Sequence, residues 1–187
     1  MRLAVGVMGP ATGGFDDEVL DRVRRLGEAV ARAGCTLITG ACPGVPQAAV
    51  MGAAACGGLV VGISPALSED EHLQRYQSPV EGFDVMIYTG SGLMGREVTN
   101  IRSSDIVVVA GGHSGTLGEF SIAYDEGRLI GVLTNTGGVA DMVAELVEKI
   151  NKQTGATVLY DDDPVRLISR LLDRYEGAHV PLVTEEK

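Results

Sequence analysis

Ile106-Val107-Val108-Val109-Ala110-Gly111-Gly112-His113-Ser114-Gly115-Thr116-Leu117-Gly118-Glu119 is the stretch on which the reading of this sequence turns. Its first five residues are an unbroken apolar run, short and β-branched, which predicts a strand buried on both faces. Glycines then supply a tight turn, and the segment from Thr116 to Glu126 reads as a helix. A strand, a glycine turn and a helix in that order form the first half of a βαβ unit.

The same rhythm extends outward in both directions. Strands are expected at Leu3–Met8, Cys35–Thr39, Leu59–Ile63, Phe83–Tyr88, Leu129–Leu133 and Thr157–Tyr160. Helices are expected at Asp16–Ala33, Val45–Cys56, Leu93–Ser103, Val139–Lys152 and Pro164–Tyr175, with residues 64–82 as an irregular polar stretch. In the first helix Val19, Leu20, Val23, Leu26 and Val30 recur at three- and four-residue steps, and Asp16, Asp17 and Glu18 suit its positive end. Strands separated by helical segments predict a Rossmann-like, doubly wound α/β fold: a mainly parallel sheet with helices on both faces. Residues 1–175 read as one domain and residues 176–187 as a tail without fixed structure.

Composition excludes several functions. The 187 residues carry a formal net charge of −10, which disfavours nucleic acid and anionic membranes as partners. Lysine occurs only at Lys149, Lys152 and Lys187, so there is no Gly-Lys-Ser/Thr tripeptide for a Walker loop. Nor is any lysine well placed for a pyridoxal-phosphate Schiff base. Cys35, Cys42 and Cys56 have neither disulfide-scaffold nor zinc spacing and read as small semi-buried thiols. No run of about 18 apolar residues or signal-type segment is present, and a cytoplasmic protein is expected. His72 and His179 read as solvated surface histidines. Asp161-Asp162-Asp163 reads as a helix cap, and no metal site is expected.

Glycine is in excess, at 26 residues. Doubly wound sheets bind ligands at the C-terminal ends of their strands, where the strand order reverses. Four glycine-rich segments fall at such ends: Met8–Gly14, Gly40–Val45, Thr89–Arg96 and Gly111–Glu119. Glycine lets backbone amides approach a phosphate, and helix N-termini favour anions, so a phosphate-bearing small molecule is the expected ligand. Candidate binding positions are Gly9, Gly40, Gly44, Gly92, Gly111, Gly112, His113, Ser114, Gly115 and Thr116. Gly90-Ser91-Gly92-Leu93-Met94-Gly95 matches GxGxxG, but no acid stands at the end of the next strand for a ribose. Glu119 is placed one turn into its helix, and Arg96 is the cation best placed to meet it. The pair reads either as a helix-end ion pair or as reacting groups beside a sugar phosphate.

Arg96, then Asp105, then the apolar strand and Gly115-Thr116-x-x-Glu119 resemble the Lonely guy (LOG) family, within a superfamily long labelled lysine decarboxylase-like. That resemblance covers roughly residues 3–150. It implies a Rossmann-like homodimer or larger homo-oligomer that hydrolyses the N-glycosidic bond of nucleoside 5′-monophosphates, with no cofactor required. Arg96 and Glu119 would be the catalytic positions, with Gly112, Ser114, Gly115 and Thr116 on the phosphate. Three positions depart from the family motif: Glu97 replaces a lysine, Gly111 a proline, and His113 a glycine whose backbone geometry it would have to adopt. The opening Val5-Gly6-Val7-Met8-Gly9-Pro10 and the Thr39-Gly40 and Gly44-Val45 pattern are similar to a smaller bacterial branch. That branch includes the molybdenum-cofactor carrier proteins. It implies the alternative of a non-catalytic carrier with molybdenum cofactor, a phosphate-bearing pterin, as the bound ligand.

Overall fold

The computed structural model describes residues 2–179. All seven strands lie in one sheet and every neighbouring pair is parallel. The strands are β1 (Ala4–Met8), β2 (Thr36–Thr39), β3 (Leu59–Ser64), β4 (Val85–Tyr88), β5 (Ile106–Ala110), β6 (Leu129–Leu133) and β7 (Thr157–Asp161). Between them run α1 (Asp17–Arg32), α2 (Val45–Ala55), α3 (Glu69–Gln74), α4 (Gly92–Arg102), α5 (Ser114–Asp125), α6 (Gly138–Ile150) and α7 (Pro164–His179). The sheet order is β4-β3-β2-β1-β5-β6-β7, so the winding reverses between β1 and β5, which pair as Val5↔Ile106 through Met8↔Val109.

β5 shows why its apolar run is unbroken. Ile106, Val108 and Ala110 enter the core under α1, α2 and α7, whereas Val107 and Val109 enter the core under α4, α5 and α6. Both faces of the strand are therefore dry, as a central parallel strand requires. On the first face α1 and α2 cross at two glycines. A methyl on Gly27 would stand 1.9 Å from the Ala49 carbonyl oxygen, and one on Gly52 1.9 Å from that of Arg24. Any side chain at either position would force the helices apart.

Two features differ from the sequence expectation. The irregular stretch 64–82 contains α3, whose N-terminus is capped by Ser68 accepting from the Glu71 amide at 3.2 Å. His72 on this short helix is fully buried. Its Nδ1 lies 2.8 Å from Ser64 Oγ and its Nε2 3.0 Å from the Pro79 carbonyl oxygen. Polar neighbours in sequence suggested a solvated ring, but both nitrogens find partners inside the fold, which permits burial. α7 continues four residues past the expected boundary, through His179, whose side chain is not among those described, and residues 180–187 of the expected tail lie outside the described residues.

The helix-cap reading of the aspartate run holds. Asp163 caps α7, its Oδ1 accepting from the Val165 and Arg166 amides at 2.9 and 2.8 Å. Arg166 and Arg170 hold Asp161, whose carboxyl is pulled well below the usual range. The cysteines are free, though Cys56 is exposed rather than half-buried. Among the described residues no helix is long and apolar enough to cross a membrane, and no three candidate ligands cluster for a metal.

Candidate functional site

At the reversal point a cavity of about 180 Å³ opens over the ends of β1 and β2 and the first turns of α4 and α5. Its polar wall is made by Arg96, Glu97, His113, Thr116 and Glu119, and its floor by Met8, Gly9 and Gly40. A second lobe of about 340 Å³ adjoins it, sharing Ala11, Gly40, Cys42, Leu93 and Arg96 and adding Arg75, Tyr76 and Ser78 from the α3 region.

Arg96 stands between the two lobes, 7% exposed. Its Nη1 lies 3.5 Å from Glu119 Oε1, the long end of ion-pair geometry. In the orientation its surroundings require, the Asn100 amide oxygen accepts from Arg96 Nη1 at 3.1 Å and from the Gly40 amide at 3.3 Å. The guanidinium lies directly on the β2 turn: a methyl on Gly40 would stand 1.8 Å from Nη1. Glycine at position 40 therefore serves to admit the arginine, a reason distinct from phosphate approach.

Two carboxylates share this one cation. Glu119 is 5% exposed, and burial pushes its carboxyl up to about 7, opposed by Arg96 and reinforced by Glu97. Glu97, also 5% exposed, is likewise raised by burial and lowered by Arg96. It does not turn away from the cavity. Its carboxylate lies over the first turns of α5, where Gly115 and Gly118 leave room; methyls there would stand 3.4 Å from Oε1 and 3.1 Å from Oε2. Burial also raises the Cys42 thiol to about 11, so it stands in this wall as a neutral group at neutral pH. Arg96 Nε and Glu97 Oε2 are buried without a hydrogen-bond partner. One is a donor and the other an acceptor. Buried polar atoms are rarely left so, and both of these belong to residues that line the cavity.

The candidate residues separate into two groups. Gly9, Gly40, Arg96, His113, Gly115, Thr116 and Glu119 converge on the cavity. Gly44, Gly92, Gly111, Gly112 and Ser114 are not in its wall. The Gly111 amide donates to Thr136 Oγ1 at 2.8 Å, while the Gly111 and Gly112 carbonyls accept from Ala140 and Val139 at the start of α6. With φ of 62° and 120° these two glycines form a turn tied to the next loop. Gly92 similarly donates to the Pro65 carbonyl at 3.2 Å, and Gly44, at φ 72°, packs its Cα face against Pro10. His113 is the N-cap of α5 at φ −117°, extended backbone open to any residue, so the expected glycine geometry is not needed. Ser114 opens the same helix and is exposed.

A parallel, doubly wound sheet, with a cavity holding a buried arginine and two carboxylates at its reversal point, defines a Rossmann-like α/β protein. The chain belongs to the SLOG cluster4 family, whose family model matches residues 2–168. It is 36% identical over 132 residues to an uncharacterized protein of Archaeoglobus fulgidus, spanning 70% of this chain and 80% of that one. Among solved structures it is similar to the molybdenum cofactor binding protein of Rippkaea orientalis, at a TM-score of 0.73 and 26% identity over 92% of this chain and 98% of that one. It is also similar to the molybdenum cofactor carrier protein of Chlamydomonas reinhardtii, at a TM-score of 0.74 and 25% identity over 94% and 99% of the two chains.

Proposed function

We propose that this protein binds a phosphorylated heterocycle in the switch-point cavity and carries it without cleaving it, a phosphate-bearing pterin such as molybdenum cofactor being the favoured cargo. The observation that carries the reading is Arg96: a buried guanidinium, held on the Gly40 turn by Asn100 and Glu119, that keeps its Nε unpaired inside the site. A fixed arginine with a free N–H suits an anionic oxygen of a ligand. Similarity to two molybdenum cofactor binding proteins over nearly their whole length supports the cargo. Glu97, standing where LOG-type hydrolases have a lysine, weakens the case for cleavage, because it adds negative charge beside the glycine turn.

Mass spectrometry of ligand retained by protein purified from molybdenum-replete cells tests the proposal. A molybdopterin mass that disappears in Arg96→Ala supports it. Protein that retains no phosphorylated heterocycle, and is not stabilised by any, overturns it.

A second reading, hydrolysis of nucleoside 5′-monophosphates, is favoured by one observation. A carboxyl with a pKa of about 7, as burial gives Glu119, is poised for proton transfer near neutrality. Glu119 would then stabilise the oxocarbenium-like transition state or position water, with Arg96 orienting it. Free base released from a panel of nucleoside monophosphates, and abolished by Glu119→Ala, would establish this reading instead.

A further inference from the structure

The two lobes of the site differ in the charged residues that line them. The larger lobe is lined by Arg75 and Arg96, with Thr12, Tyr76 and Ser78, and by no acidic residue. The smaller lobe adds Glu97 and Glu119 to the shared Arg96. A ligand bearing an anion at one end is therefore drawn with that end toward Arg75 and Arg96. Arg75 donates Nη1 to Glu71 at 2.6 Å and lies over the Tyr76 ring at 5.3 Å, with its side chain 70% exposed at the rim of the lobe. The other end of the ligand then faces the carboxylates.

We propose that Glu97 is a specificity residue: its carboxylate, 95% buried with Oε2 unpaired, recognises the adjacent N–H groups of a 2-amino-4-oxo-pyrimidine edge, as found in pterins and guanine. This deepens the binding function proposed above and rests on it. A carboxylate accepts only, so its natural complement is a pair of N–H donors side by side. The amino group and ring N–H of such an edge supply that pair. Adenine and hypoxanthine do not. A metal ion is the other common complement, but no third ligand joins Glu97 and Glu119 among the described residues. The orientation also accounts for a carboxylate on the first turns of α5, where a glycine-turn phosphate would meet repulsion: there Glu97 faces the positive helix end itself, and the phosphate goes to the arginine lobe.

The test compares ligands differing at the 2-position by calorimetry on the full chain without added metal. The pairs are guanosine against inosine 5′-monophosphate, and 6-hydroxymethylpterin against 6-hydroxymethyllumazine. We expect the 2-amino member of at least one pair to bind about 10- to 100-fold more tightly, the size of lost hydrogen bonds to a buried charge. Glu97→Gln should erase that preference with its melting transition intact, and Arg75→Gln should weaken guanosine 5′-monophosphate but not guanosine. Equal binding within each pair, binding of adenosine monophosphate instead, or a preference unchanged in Glu97→Gln overturns the inference while leaving the binding function standing. Failure of every phosphorylated compound to bind overturns both. The wild-type comparison needs no variant to fold.

Discussion

Replacing Glu119 with glutamine should make the protein more stable at neutral and alkaline pH, not less. Burial moves the Glu119 carboxyl from 4.5 to about 7 in the folded chain, despite the attraction of Arg96. At ~1.4 kcal/mol per pH unit, that difference corresponds to about 3 kcal/mol between the protonated and ionised forms. The folded protein holds the proton more tightly than the unfolded chain does. Stability from this group is therefore complete below pH of about 4.5, falls as the pH rises, and is gone above about 7. Glutamine resembles the protonated acid in shape and still offers an oxygen to Arg96. Urea melts across about pH 5 to 8 should show the wild type losing up to about 3 kcal/mol relative to Glu119→Gln, with the curves meeting at the acid end. Parallel curves over that window would refute the argument, since they would mean Glu119 is ionised throughout and fully compensated by Arg96.

Gly40→Ala should fold nearly normally yet lose ligand, because its methyl, 1.8 Å from Arg96 Nη1, displaces the tip of a flexible side chain rather than backbone; thermal melts and calorimetry separate the two effects. Gly27→Ala is the contrasting case, its methyl meeting the Ala49 carbonyl at 1.9 Å, and should lower stability by about 1–3 kcal/mol in urea melts with the ligand-binding constant unchanged. His72→Ala should cost about 2–4 kcal/mol by the same measurement, through a cavity and the loss of contacts to Ser64 and the Pro79 carbonyl.

Much of this fold could be read from the chain because parallel βα units are local. Ile106–Ala110 and Leu129–Leu133 fall at the strand bounds that the apolar runs predict, since a strand dry on both faces has no polar residue to blur its ends. Arg96 and Glu119 meet because each lies near the start of its helix and the two helices, α4 and α5, pack against each other. What could not be read depends on long-range packing. α3 is six residues long and owes its position to His72 bonding across to β3 and to the Pro79 loop, contacts with no periodic signature. Arg75 and Tyr76 follow from it, so the second lobe was hidden. That the Gly111 amide is already taken by Thr136 could not be read either, because glycine turns that serve an anion and those that serve a neighbouring helix are identical in sequence. The bonds that tie this turn to Thr136 and α6 appear only in the fold.

The balance of charge at the site carries one consequence further. Arg96 faces two buried carboxylates, and an ionised pair beside a single cation leaves the smaller lobe negative. Excess negative charge of this kind is costly in a low-dielectric interior, and an added donor relieves it. A ligand that donates N–H groups to Glu97 and an anionic oxygen to Arg96 satisfies both orphaned atoms together. Its affinity should then depend on pH through Glu119. As the pH falls through about 7 and Glu119 gains its proton, Arg96 is released from a competing carboxylate and becomes available to the ligand's anion. Binding of a phosphate monoester should tighten over about pH 8 to 6.5, above the range in which the ester itself is neutralised to a monoanion. In Glu119→Gln that dependence should vanish, leaving affinity near the wild-type value at the acid end. A wild-type affinity that weakens over this range would show that Arg96 already binds the anion with Glu119 ionised, and would remove the carboxyl from any account of ligand release.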